Sequence, residues 1–88
     1  LGKYRTRTEI VYQILTTAKE IDGVTKTRIM FKAYLSFAQL KEYLKLLMES
    51  EMLEHIPERN TYRITSKGVK MLEACNAINQ LVGSEAPV

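Results

Sequence analysis

The chain has little of several things that many functions require. Among its 88 residues there is one cysteine, Cys75, which excludes an internal disulfide framework and any CxxC metal knuckle. One histidine, His55, removes most zinc sites and Ser-His-Asp arrangements. The four glycines stand apart at positions 2, 23, 68 and 83, so no glycine-rich phosphate loop is present. No apolar run approaches the roughly 18–20 residues of a bilayer span, and no secretory leader is visible. The first residue is Leu1 and not methionine, which leaves open a fragment, a processed product or a missing start.

What remains is the composition of one small globular domain, 45% hydrophobic and 26% charged. Four methionines and a free thiol suit a reducing cytoplasm. The net charge of +3 is modest, but it is unevenly placed. Residues 1–34 hold seven basic and three acidic side chains, whereas residues 35–56 hold two basic and four acidic. The positive field sits toward the N-terminal third, which permits a polyanionic partner.

Periodicity and capping signals give the elements. Lys3-Tyr4-Arg5-Thr6-Arg7 reads as a basic arm. Thr6 and Glu9 have the spacing of a capping box, and Ile10, Val11, Ile14, Leu15, Ala18 and Ile21 form the stripe of a helix running to about Ile21. Thr25 caps a short second helix to about Lys32. Ser36 and Gln39 supply another box for a third helix, whose predicted buried face is Phe37, Leu40, Leu44, Leu47 and Met48. From Leu53 the period shortens. Leu53–Ile56 and Thr61–Ile64 are β-prone runs around the turn-forming Pro57-Glu58-Arg59-Asn60. Thr65 or Ser66 caps a last helix to about Val82.

The fold class is therefore mainly α with a small β-hairpin (α+β), in the order helix-helix-helix-strand-strand-helix of a winged helix-turn-helix. The expected organisation is an arm over residues 1–8, the winged domain over 9–66, a C-terminal helix over 67–82 serving dimerisation, and a tail over 83–88.

Arg7-Thr8-Glu9-Ile10, Thr27-Arg28-Ile29-Met30, Leu35-Ser36-Phe37 and Tyr62-Arg63-Ile64-Thr65-Ser66-Lys67-Gly68 together resemble a family of archaeal winged-helix transcriptional regulators. The family includes chromatin-type DNA-binding proteins that dimerise through a long C-terminal helix. The resemblance covers roughly residues 5–80. It implies a cytoplasmic, nucleoid-associated DNA-binding protein with no cofactor. Two positions depart from the family pattern: Tyr34 stands where Asn is common, and Glu51 where Gly is common.

Helix 3 is then the recognition helix for a major groove about 12 Å wide. Lys26, Arg28 and Lys32 on and after helix 2 are expected to hold phosphates, as are Lys3, Arg5 and Arg7 in the arm, Arg59 at the wing tip and Arg63 pointing outward from its second strand. Ser36, Gln39 and Tyr43 are expected on the exposed half of helix 3. There Gln39 suits adenine and Ser36 suits phosphate, although both residues also suffice as a helix cap. Glu42 opposes phosphate unless it accepts from cytosine or pairs with Lys45. Phe37 and Tyr34 are weighed as stacking platforms for single strands, with core packing preferred for Phe37. Met71, Cys75, Ile78 and Val82 follow a 4-3-4 seam and are expected at a homodimer interface, while Val69 and Leu72 pack on the protomer's own core. Catalysis is not expected, because the acidic residues form no buried dyad. A rival reading is a winged helix that binds other proteins and no DNA; a third is RNA binding.

Overall fold

Each helix begins where a hydroxyl side chain takes up a free backbone N–H. Thr6 accepts from the Glu9 N–H at 3.0 Å while Glu9 Oε1 accepts from the Thr6 N–H at 2.8 Å, a reciprocal box that starts α1 (Arg7–Thr17). Thr25 accepts from the Arg28 N–H at 3.2 Å and starts α2 (Lys26–Lys32). Ser36 and Gln39 repeat the box at 3.1 and 2.9 Å for α3 (Phe37–Glu49). An antiparallel hairpin follows, β1 (Leu53–Ile56) and β2 (Thr61–Ile64), with Leu53 opposite Ile64 and Ile56 opposite Thr61. The last helix is α4 (Ser66–Leu81). Thr65 and not Ser66 caps it: Thr65 Oγ1 accepts from the Gly68 N–H at 3.1 Å and donates to the Glu51 carbonyl at 2.6 Å. This computed structural model describes residues 5–81. Lys3, Val82 and the tail over 83–88 lie outside the described residues. The order α-α-α-β-β-α is that of a winged helix.

One core serves all six elements. Ile14 and Leu15 of α1, Ile29 of α2, and Leu40 and Leu47 of α3 are its fully buried side chains. Leu53 of β1 and Leu72 of α4 close it from the hairpin side. Burial of each such side chain contributes about 1.5–3 kcal/mol against full exposure. The wing is thus tied to the helices by a shared interior.

The ends of α2 and α3 are built alike. Leu35 N–H donates to the Met30 carbonyl at 3.0 Å and Tyr34 N–H to the Phe31 carbonyl at 3.3 Å. After α3, Met52 N–H donates to the Leu47 carbonyl at 2.9 Å and Glu51 N–H to the Met48 carbonyl at 3.0 Å. Both are Schellman motifs, in which the residue after the cap turns left-handed. Tyr34 and Glu51 do so at φ 54 and φ 63. Gly and Asn reach this conformation at lower cost than Tyr or Glu.

Three expectations are corrected. Helix 1 stops at Thr17 instead of Ile21, because the Ala18 carbonyl accepts from the Ile64 N–H at 3.0 Å and the chain then turns into the sheet. Gly23 at φ 80 delivers Val24 to pair with Tyr62 in both directions, at 2.9 and 2.8 Å, as a single third rung of the sheet. Ile21 is left 83% exposed. On α3 the buried arc is Leu40, Tyr43, Leu44 and Leu47, while Phe37 and Met48 are 59% and 36% exposed. At about 100° per residue, Phe37 and Met48 fall roughly 20° and 40° past Leu44, outside the arc. On α4, Leu72 is buried as expected, but Val69 is 38% exposed.

Gly68 marks the closest approach of α4 to the hairpin. A Cβ there would meet the Met52 carbonyl oxygen and, at 2.6 Å, Ile64 Cγ1. Gly68→Ala is expected to lower the unfolding free energy by about 1–3 kcal/mol through overpacking. Glu51→Gly, which relieves a left-handed non-glycine residue, is expected to raise it by about 0.5–1 kcal/mol. Urea denaturation of both variants measures the two effects.

Candidate nucleic-acid interface

The turn between α2 and α3 presents one face of each helix to solvent. On α2, burial of Ile29 leaves Lys26, Thr27, Arg28, Phe31 and Lys32 exposed. On α3, the arc opposite Leu40 and Leu47 exposes Ala38, Gln39, Lys41, Glu42 and Lys45. The cations of α2 and the solvent face of α3 are thus both open to water on either side of the turn. Arg59 is exposed in the wing turn, 3.7 Å from Asp22, and both side chains are more than half open to water. Such a pair contributes little and does not hold Arg59 away from another anion.

Two cations of the N-terminal segment are drawn to this face. Arg5 Nη2 donates to the Tyr34 carbonyl at 3.1 Å, and its guanidinium lies 6.0 Å from the centre of the Tyr34 ring. Arg7 is the first residue of α1, and its guanidinium stands 5.4 Å over the Tyr43 ring. Cation–π attraction of this kind sets the direction of a long side chain without neutralising its charge. Arg5 is thus held at the turn between α2 and α3, and Arg7 against α3.

Two residues expected here, Tyr43 and Arg63, are placed differently, and Gln39 is exposed as expected but engaged in its cap. Tyr43 is only 6% exposed and belongs to the core, because it lies on the Leu40–Leu47 arc; buried there, its ring is not free to meet a base. Arg63 does not project freely from the wing. Its Nε and Nη2 donate to Glu54 Oε2 at 2.9 and 2.7 Å, and its Nη1 donates to the Ile21 carbonyl at 3.0 Å. It fastens the hairpin to the segment before α2. Gln39 is exposed, but its Oε1 accepts from the Ser36 N–H, so a bidentate contact with adenine competes with the cap of α3.

One residue on this face was missed by sequence reasoning: Phe31 is 69% exposed. Phe37, for which core packing was preferred over stacking, is 59% exposed, and Lys41 Nζ stands 5.6 Å over its ring. For Phe31 a signal was available: it lies two residues from Ile29, about 200° around the helix and so on the opposite side.

No group of three potential metal ligands gathers among the described residues. None of the described helices is long and apolar enough to cross a membrane.

Residues 4–83 match the family model described as Winged helix-turn-helix. The chain belongs to that family. A winged helix-turn-helix domain suggests DNA binding in general, and its typical role is not enzymatic. The chain has no significant match among curated proteins. Within the winged helix-turn-helix frame, Arg63 acts as a brace. Arg63→Met is expected to lower stability by roughly 0.5–1.5 kcal/mol while leaving duplex affinity within about twofold. Urea denaturation and fluorescence anisotropy on one duplex read the two quantities.

Proposed function

We propose that this winged helix binds double-stranded DNA as an archaeal transcriptional regulator or chromatin-type protein, placing α3 in the major groove. The observation that carries the reading is the set of exposed cations on α2, Lys26, Arg28 and Lys32, beside the solvent face of α3. Phosphate contacts from α2 and from Arg5, Arg7 and Arg59 fix the register, and the bases are read from α3. Glu42 on that face limits attraction to phosphate, so affinity comes chiefly from the flanking cations.

The functional unit in this reading is a homodimer, since paired recognition helices need two-fold symmetry. Support comes from the end of α4, where Ile78 is 57% and Leu81 85% exposed. The expected seam shifts by this placement. Cys75 is 6% exposed within its own protomer and Met71 packs partly on its own core, so Ile78 and Leu81 supply the intermolecular contact. Within the cell the protein belongs, on this reading, with the nucleoid.

If each protomer neutralises about 3–5 phosphates, log K falls against log salt with a slope of roughly −3 to −4.5. Combined replacement of Lys26, Arg28 and Lys32 by Glu is expected to abolish most duplex binding with the fold kept. Unchanged affinity in that variant rules out the assigned surface, and affinity without salt dependence favours a protein-binding role. Light scattering is expected to give twice the chain mass for the wild type and one chain mass for Ile78→Glu.

A further inference from the structure

Both phenylalanines of this chain are exposed, Phe31 at 69% and Phe37 at 59%, and between them Tyr34 is 80% exposed. A small domain has few large apolar side chains with which to fill its core, and here three aromatic rings are left in water at one turn. Tyr34 is the most costly of them. It occupies a left-handed position at φ 54 and gains no burial in return.

The surroundings of the rings are cationic. Phe31 and Tyr34 line an open groove of about 760 Å3 together with Arg28 and Lys32; Glu20 is its one acidic side chain. Arg5 stands over the Tyr34 ring and Lys41 over the Phe37 ring. Aromatic rings interleaved with flexible cations are the surface that binds a single strand, where bases stack on rings and phosphates meet cations. A duplex makes poor use of ring faces, because its bases are stacked on one another and present only their edges in the grooves.

We propose that Phe31, Tyr34 and Phe37 form a stacking platform for unpaired bases, so that this face also holds single-stranded DNA. The proposal rests on the reading of the helix-turn-helix face as a nucleic-acid surface, and it does not require duplex binding. The strand's bases lie on the three rings, and its phosphates are held by Arg28, Lys32 and Lys41. Stacking is indifferent to base identity, so the platform discriminates base-bearing from abasic strands more than one sequence from another.

The test compares a labelled oligothymidylate with an abasic oligomer of equal length, by fluorescence anisotropy with the full chain. Both strands carry the same phosphates, so their difference isolates stacking. The wild type is expected to favour oligothymidylate by about tenfold or more. The combined variant Phe31→Ala, Tyr34→Asn and Phe37→Ala is expected to bring the two strands close to parity, with circular dichroism confirming the fold. Tyr34→Asn alone, a change that the left-handed backbone favours, is expected to lose several-fold on oligothymidylate only. Parity in the wild type, or an undiminished preference in the combined variant, overturns the proposal. So does a preference shown for oligouridylate and not for oligothymidylate. The duplex reading fails separately, through charge reversal on α2 that leaves duplex affinity unchanged.

Discussion

The position of α3 depends on two left-handed residues, Tyr34 before it and Glu51 behind it. Each reverses the chain within one residue and closes a helix end with a 6→1 hydrogen bond, from Leu35 to Met30 and from Met52 to Leu47. Because both reversals are closed by hydrogen bonds, the angle between α2 and α3 and the departure of the wing are set locally. Leu35 and Met52, the residues just after the two reversals, then anchor in or against the core. The cost of a non-glycine residue at each point is carried by the burial that follows it.

From that geometry the surface chemistry follows. With Leu40, Tyr43, Leu44 and Leu47 turned inward, α3 shows solvent a strip that is mixed in charge, and its positive neighbours come from other elements. Arg5 and Arg7 are steered by aromatic rings with their charge kept, whereas Arg63 is consumed as a brace and is one cation fewer for a polyanion than the composition implies. The proposed interface is assembled from three places in the chain: the N-terminal segment, the helix-turn-helix and the wing turn.

Much of the fold was legible in the residues. Thr6 with Glu9 and Ser36 with Gln39 have the spacing of reciprocal caps, and Pro57 to Asn60 separates two β-prone runs, so local chemistry alone places α1, α3 and the hairpin. The rest depends on tertiary contacts. The single rung at Val24 has no periodicity to announce it, since one residue pairing with Tyr62 leaves no pattern. Tyr43 and Phe37 exchanged roles because a helical stripe has edges: both are three residues from Leu40, and the position of the neighbouring elements decides which edge is covered. Arg63 reads as a free cation until the Ile21 carbonyl is brought beside it. Of the exposed aromatic residues, Tyr34 and Phe37 were legible as possible stacking groups, but Phe37 read as core because it adjoins a core stripe.

The most direct test is a heteronuclear NMR titration of the chain with a short duplex, following every backbone amide. If the helix-turn-helix is the docking face, shifts concentrate over residues 26–42 and at the wing turn around Arg59, with the middle of α4 unmoved. Shifts centred on α4 and the far side of α1, or none at millimolar duplex, contradict it.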